Sequence, residues 1–283
     1  MYGLKMQEKL SIEDISEIKE FKVVEKENTE GSAMYFVKKL FNNYDYHMAL
    51  EIIQENYSSR DKVGNHFIKL INIYQKWDSF EYEKYDFDDV INYFSNIDIL
   101  NDNKEAIDIL IDKNNESHNA YRIADLINNA ERRIQEGRYE DAIIRFYRTL
   151  EILAEARLYE KYAIRKTDVH IQDLKNLDIE KSALDKIIKR LNFKYPKYTM
   201  HLTSAFFLLQ KLFDEVGTYY YHNKDKYQQL FQKRNMSILV HGNIKYDSDE
   251  IMEMNELVIS MARVYDKNID KYIQKTKFPI FNV

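Results

Sequence analysis

The chain contains only six Gly and two Pro in 283 residues. These two residue types supply most sharp turns and breaks, so a chain this poor in them must run mainly through long regular elements. The apolar residues show which kind. Val63, Phe67, Leu70, Ile71, Tyr74 and Trp77 recur at three- and four-residue intervals, the period of one helix face. The same spacing marks Met34, Val37, Leu40, Phe41 and Tyr44, with Asp45 opening a second helix after a tight turn. It returns at 87–94, in a short helix at 104–113 after Asn101-Asp102-Asn103, and in a hairpin whose first arm carries Ile123, Leu126, Ile127, Ala130 and Ile134. Gly137 suits the end of that arm because glycine tolerates positive φ. The second arm carries Ala142, Ile143, Phe146, Tyr147, Leu150 and Leu153. No segment alternates as a strand would, so the expected fold class is all-α.

Punctuation sets the domains. Gly31-Ser32 reads as a break that leaves 1–31 as an N-terminal arm with a short helix near 12–21. Asn114-Asn115-Glu116-Ser117 reads as a polar joint, giving a helical connecting subdomain at 32–118 and a second helical domain at 119–283. A charged, irregular stretch ends near Tyr195-Pro196. The run Ala205-Phe206-Phe207-Leu208-Leu209-Gln210-Lys211-Leu212-Phe213 is the most apolar in the chain and is expected as the central core helix. Asp247-Ser248-Asp249-Glu250 is a helix-start signal before a last helix striped by Ile251, Met254, Leu257, Val258 and Met261.

Cysteine is absent, which excludes disulfides and Cys-based metal sites and points to a reducing cytoplasm. The N-terminus lacks an apolar signal core, and no stretch approaches the roughly 18 apolar residues needed to span a bilayer. Charge is uneven. Residues 1–119 carry 14 Lys/Arg against 24 Asp/Glu, and residues 120–283 carry 28 against 23, so the second part is the basic one.

Within that basic part lies Lys233-Arg234-Asn235-Met236-Ser237-Ile238-Leu239-Val240-His241-Gly242. Arg234 and His241 are seven positions apart, nearly two helical turns, so a continuous helix carries both on one face. A permanently charged, forked guanidinium suits a phosphate, and an imidazole that titrates near neutrality suits proton transfer. The plain structural alternative pairs Arg234 with a carboxylate and leaves His241 at a helix end, where its cation favours the dipole. The other six histidines are scattered and read as surface or satisfied core groups. Tyr219-Tyr220-Tyr221 is the best aromatic candidate for a substrate cleft.

The string from Arg234 to Gly242 resembles the C-terminal HEPN domain of the accessory ribonucleases of type III CRISPR systems. Asn129-Ala130-Glu131-Arg132-Arg133 and Gly137-Arg138-Tyr139-Glu140-Asp141-Ala142, continuing to Glu151, resemble that family's first HEPN helices. The resemblance covers roughly 120–270 and implies a HEPN-like helical bundle. It also implies metal-independent endonuclease cleavage of single-stranded RNA in antiviral defence, with no cofactor. Arg234 would stabilise phosphate charge, His241 would move a proton to the leaving 5′-oxygen, and Asn235 would orient substrate or His241. Lys233 and Ser237 are the candidate RNA contacts. Along a helix Arg234 and His241 stand about 10 Å apart, which is awkward for one phosphate, so a homodimer with a composite site is expected. Family members usually begin with a CARF domain that senses cyclic oligoadenylate. Nothing here alternates strands and helices, so the sensor is expected to have been removed, to be a separate chain or domain, or to be dispensed with in a stand-alone effector. Two competing readings are a helical-repeat scaffold and a HEPN-fold binding module. The first rests on the Gly, Tyr and Ala spacing of 137–142, weakly echoed at 44–50, but no third copy appears near a period of 34.

Overall fold

A computed structural model describes residues 29–58, 60–236 and 246–283. Among the described residues there are fourteen α-helices and one two-stranded sheet, an all-α protein as expected. The chain divides into two compact units. The first holds the described residues up to Asn115 together with Gln135–Gly137 and Lys275–Val283, and the second holds Glu116–Ile134 and Arg138–Gln274.

The first unit contains α1 (Thr29–Asn42), α2 (Tyr46–Asn56), α3 (Lys62–Asp78), α4 (Phe87–Tyr93) and α5 (Ile99–Ile111). Gly31 and Ser32, a break by sequence, lie inside α1. The short helix expected near 12–21 lies outside the described residues. Asp45 caps α2 by accepting the Met48 backbone N–H, which ends the preceding turn as its position suggests. Asn101-Asp102-Asn103, expected as a loop, belongs to α5 because Asn103 has buried tertiary partners. Its amide accepts from the Tyr74 hydroxyl and donates to the carbonyls of Lys275 and Lys277 at 2.8 Å each. Phe41, Tyr74, Trp77, Phe278 and Phe281 pack edge-on or stacked in one aromatic core, with Phe41 and Phe281 centroids 5.2 Å apart. Asn42 and Phe281 exchange two hydrogen bonds, Nδ2 to carbonyl and N–H to Oδ1. The C-terminal tail therefore joins this first unit, whereas the sequence punctuation assigns all of 119–283 to one domain.

The second unit is built on α6 (His118–Gln135) and α7 (Tyr139–Tyr162). Gly137 sits between them at φ 69°, and the Arg138 N–H donates to the Arg133 carbonyl at 2.8 Å, so the hairpin turn uses the left-handed conformation expected there. After α7 come α8 (Ile171–Lys175), α9 (Lys181–Lys189), β1 (Asn192–Lys194), β2 (Lys197–Thr199), α10 (Leu202–Lys211), α11 (Glu215–His222), α12 (Lys224–Met236), α13 (Ser248–Tyr265) and α14 (Ile269–Lys275). The β1–β2 hairpin pairs Phe193 with Tyr198, and Val169 bridges to Tyr198. Three-residue strands are too short to show alternation, which is why no strand is visible in the sequence. The helix striped by Ile251 and Met254, expected to be the last, is α13, and α14 follows it.

The 24-residue α7 is the helix against which α10, α12 and α13 all pack. The apolar run containing Phe206 forms α10 as expected, but it stops at Lys211. Phe213 lies beyond the helix with φ 54° and is 92% exposed, so it is not a core residue. Between α10 and α11 the backbones approach closely at Gly217. A Cβ there would collide with the Gln210 nitrogen and the Leu209 carbonyl carbon, and would meet the Leu209 Cβ at 2.7 Å. The buried Asp214 caps α11 through the Val216 N–H. It also accepts from Arg157 Nε at 2.8 Å, Lys161 Nζ at 3.1 Å and the Tyr162 hydroxyl at 3.0 Å. Burial alone raises the Asp214 pKa, but the Arg157 and Lys161 contacts outweigh it and hold the carboxyl below its ordinary value.

Candidate functional site

Helix α12 is mostly polar, and only Tyr227 and Leu230 are buried on it. Tyr227 anchors it by donating its hydroxyl to the Leu257 carbonyl of α13 at 3.0 Å. Positions 227, 230, 231 and 234 follow the i, i+3, i+4, i+7 spacing of a single face. Arg234 thus occupies the next core-facing position, where a purely structural helix would carry an apolar residue. Its guanidinium carbon lies 4.8 Å from the centroid of the half-buried Tyr147 ring on α7. Tyr147 is held in turn by an edge contact with Phe231, centroids 5.5 Å apart. Burial raises the Tyr147 pKa, Glu151 raises it further and Arg234 opposes both, so the ring carries a protonated hydroxyl through neutral pH.

The neighbours of Arg234 have separate duties. The exposed Asn235 accepts from Arg234 Nη1 through Oδ1 at 3.0 Å. Lys233 pairs with Glu250 Oε2 at 2.6 Å, so its charge is matched by a carboxylate from the first turn of α13. The Lys233 carbonyl accepts from the Tyr246 hydroxyl at 2.6 Å. Burial, then the Glu140 and Glu250 carboxylates, raises the Tyr246 pKa and keeps it a donor. Glu250, part of a helix-start signal by sequence, therefore reaches across to α12, while Asp247 alone serves as the cap of α13. Ser237 and His241 lie outside the described residues. Beyond them, Tyr246 and Glu250 both reach back to Lys233.

Sequence alone does not single out Tyr147, Tyr246 or Glu250 for the site. Tyr147 reads as one of a helix stripe, and nothing in its spacing announces a cation above it. The Tyr219-Tyr220-Tyr221 triplet divides. Tyr220 is buried and stacked on Phe206, centroids 4.3 Å apart, while Tyr219 and Tyr221 are half-exposed. The upstream residues that carry the resemblance join α6 to α7: Arg145 donates through Nε to Asn129 Oδ1 and through Nη1 to the Asp141 carbonyl. Among the described residues no cluster of three or more His, Asp or Glu is placed to hold a metal ion. None of the described helices is long and apolar enough to cross a membrane.

The Csm6 HEPN domain matches residues 111–265, more than half of the chain. The chain belongs to the Csm6 HEPN domain family. The matched span closes at the last residue of α13 and contains Tyr147, Arg234 and the segment that carries His241. HEPN domains of this type are generally ribonucleases and belong to type III CRISPR systems. A search of curated proteins finds no match to the chain.

Proposed function

We propose that this Csm6 HEPN chain is a metal-independent endoribonuclease that cuts single-stranded RNA in CRISPR-associated antiviral defence in the cytoplasm. The observation that carries the proposal is the seat of Arg234. An arginine at a core-facing helix position stands over an aromatic face, a contact that orients the planar guanidinium. This arginine opens the Arg234–His241 motif within the matched domain.

In the proposed reaction the RNA 2′-oxygen attacks the adjacent phosphorus and the bond to the 5′-oxygen breaks, leaving a 2′,3′-cyclic phosphate and a 5′-hydroxyl. Arg234 stabilises the charge that grows on the phosphate oxygens, and His241 protonates the leaving oxygen. Asn235 orients the guanidinium or the substrate, and Ser237 contacts RNA. Lys233 contacts phosphate after exchanging Glu250 for it. On a continuous helix the seven-residue separation sets Arg234 and His241 about 10 Å apart. A two-fold homodimer supplies two arginines and two histidines to one cleft, so that one His241 takes the 2′ proton while the other gives one to the 5′-oxygen. Cyclic-oligoadenylate sensing is assigned to a separate chain or domain.

The test is cleavage of labelled single-stranded RNA in EDTA, with product ends identified. Cutting that persists in chelator, leaves 2′,3′-cyclic phosphates and disappears in both Arg234→Ala and His241→Ala is the expected result. Equal cutting by wild type and both variants would overturn the reading, as would products ending in 3′-hydroxyls.

A further inference from the structure

The second unit carries a group of cations on aromatic rings that the proposed chemistry does not use. Phe207 on α10 and Tyr221 on α11 are both half-exposed, with centroids 6.3 Å apart. Arg190, at the end of α9, places its guanidinium 5.7 Å from the Phe207 centroid. Lys211 Nζ lies 5.4 Å from the same centroid, and Lys224 Nζ lies 5.7 Å from that of Tyr221. Burial raises the Tyr221 pKa and the Arg190 charge opposes that shift, so Arg190 acts on both rings. Among the described residues, Arg190, Lys211 and Lys224 make no ion pair with a carboxylate.

Three like charges around two neighbouring rings repel one another, and the ring faces offset only part of that cost. An anion with flat, stackable groups answers both features at once. Single-stranded RNA alternates phosphates with bases, whereas an acidic peptide would use the cations and leave the rings idle. The two lysines reach the rings on flexible stems at loose distances. They can swing to phosphates and clear the ring faces for bases. The cluster also connects to Arg234 through packed rings: Tyr221 to Tyr220 at 5.5 Å, Tyr220 to Phe231 at 6.4 Å, Phe231 to Tyr147 at 5.5 Å, and Tyr147 to Arg234.

We propose that Arg190, Lys211 and Lys224, with the rings of Phe207 and Tyr221, form a second RNA-binding site that holds substrate outside the cleavage centre. This inference rests on the ribonuclease reading for the identity of the ligand. It is tested by binding of a 2′-O-methyl oligouridylate, which lacks the nucleophile, so that binding and cleavage are scored separately. For single strands each phosphate contact contributes about 0.7 to the logarithmic salt slope. The R190A/K211A/K224A variant should therefore lower the slope by about 2, and its binding deficit should be about 20-fold larger at 50 mM salt than at 200 mM. Lys224→Glu, at an exposed position where, among the described residues, the only ring contact given up is the one to Tyr221, serves as a second variant and should weaken binding and lower the slope in the same direction. Tyr221→Ala should weaken binding about fivefold or more at unchanged slope, and Tyr221→Phe should match wild type.

Unchanged affinity and slope in both charge variants would overturn the site, even if wild type cuts unmodified RNA normally. Loss of polyglutamate binding in the charge variants, with Tyr221→Ala binding RNA like wild type, would also overturn it and identify an acidic-peptide surface. Conversely, wild-type binding that depends on these residues, without cleavage of unmodified RNA, would leave the site standing and remove the nuclease reading.

Discussion

Replacing Tyr147 by Leu removes the ring beneath Arg234 while keeping an apolar side chain on α7. The contact is half-buried with the guanidinium carbon 4.8 Å from the ring centroid. A cation–π contact in this intermediate setting contributes about 1 kcal/mol, between the exposed and desolvated limits. Releasing the arginine also restores rotamer freedom that must be lost again at each turnover, up to about 1 kcal/mol of what a long side chain carries. Together these predict a fall in kcat/KM of about 1–2 kcal/mol, or roughly 5- to 30-fold, on a fluorogenic single-stranded RNA. Tyr147→Phe keeps the ring and should stay within about twofold of wild type. The decisive comparison is a double-mutant cycle with Arg234→Ala, read in binding of uncleavable RNA as well as in rate. If Tyr147 acts through Arg234, its replacement has no further effect once the arginine is gone. Full activity in Tyr147→Leu would refute the reasoning. So would a loss that persists undiminished in the Arg234→Ala background, because the ring would then be acting through general stability.

The remaining predictions probe the frame and the neighbouring lysine. Asp214 has a depressed pKa in the folded protein, so its stabilisation is complete above the unfolded carboxylate pKa of about 3.9 and is lost as pH falls through the lower folded value. Asp214→Asn should cost about 3 kcal/mol in urea denaturation at neutral pH, the low end for a broken buried pair because Lys161 is half-exposed, and should flatten the acid limb. Gly217→Ala forces a Cβ onto the backbone of Leu209 and Gln210 and should destabilise by about 3 kcal/mol in the same assay, whereas a neutral outcome would show that α10 and α11 do not approach this closely. Glu250→Gln frees Lys233 from its 2.6 Å partner and should strengthen RNA binding by up to about fivefold at low salt, measured by fluorescence anisotropy; weakened binding would show that the pair serves to shape the site.

How much of this is legible in the sequence follows from the range of the interactions. Helices whose apolar stripes face a core, such as α3 with Phe67, Leu70, Ile71, Tyr74 and Trp77, show themselves in a single period of sequence. The α6–α7 turn is equally local, since Gly137 needs only its own φ. Features that depend on distant partners stay hidden. Asn103 looks like a loop residue until Lys275 and Lys277, some 170 positions away, supply the carbonyls that satisfy it inside a helix. Phe213 looks like core until the turn after α10 directs it into solvent. The tail's allegiance to the first unit likewise rests on Asn42 and Phe281, 239 positions apart.

The site shows the same division at the scale of two adjacent residues. Lys233 and Arg234 read alike as cations beside a motif, and by sequence both face RNA. Their partners separate them. A carboxylate at 2.6 Å balances Lys233 and makes it part of the joint between α12 and α13, while Arg234 stands over the face of Tyr147, a contact that orients the cation. The first kind of partner must be exchanged before the lysine meets a phosphate, whereas an aromatic face can go on holding the arginine while it meets one. The short link from Tyr246 back to the Lys233 carbonyl adds a consequence of chain connectivity. The chain leaves α12 after Met236, and Tyr246, five positions beyond His241 in sequence, is tied back to the same helix end beside the arginine. A variant that cuts that tie without touching either motif residue, Tyr246→Phe, should therefore lower cleavage more than it lowers RNA binding.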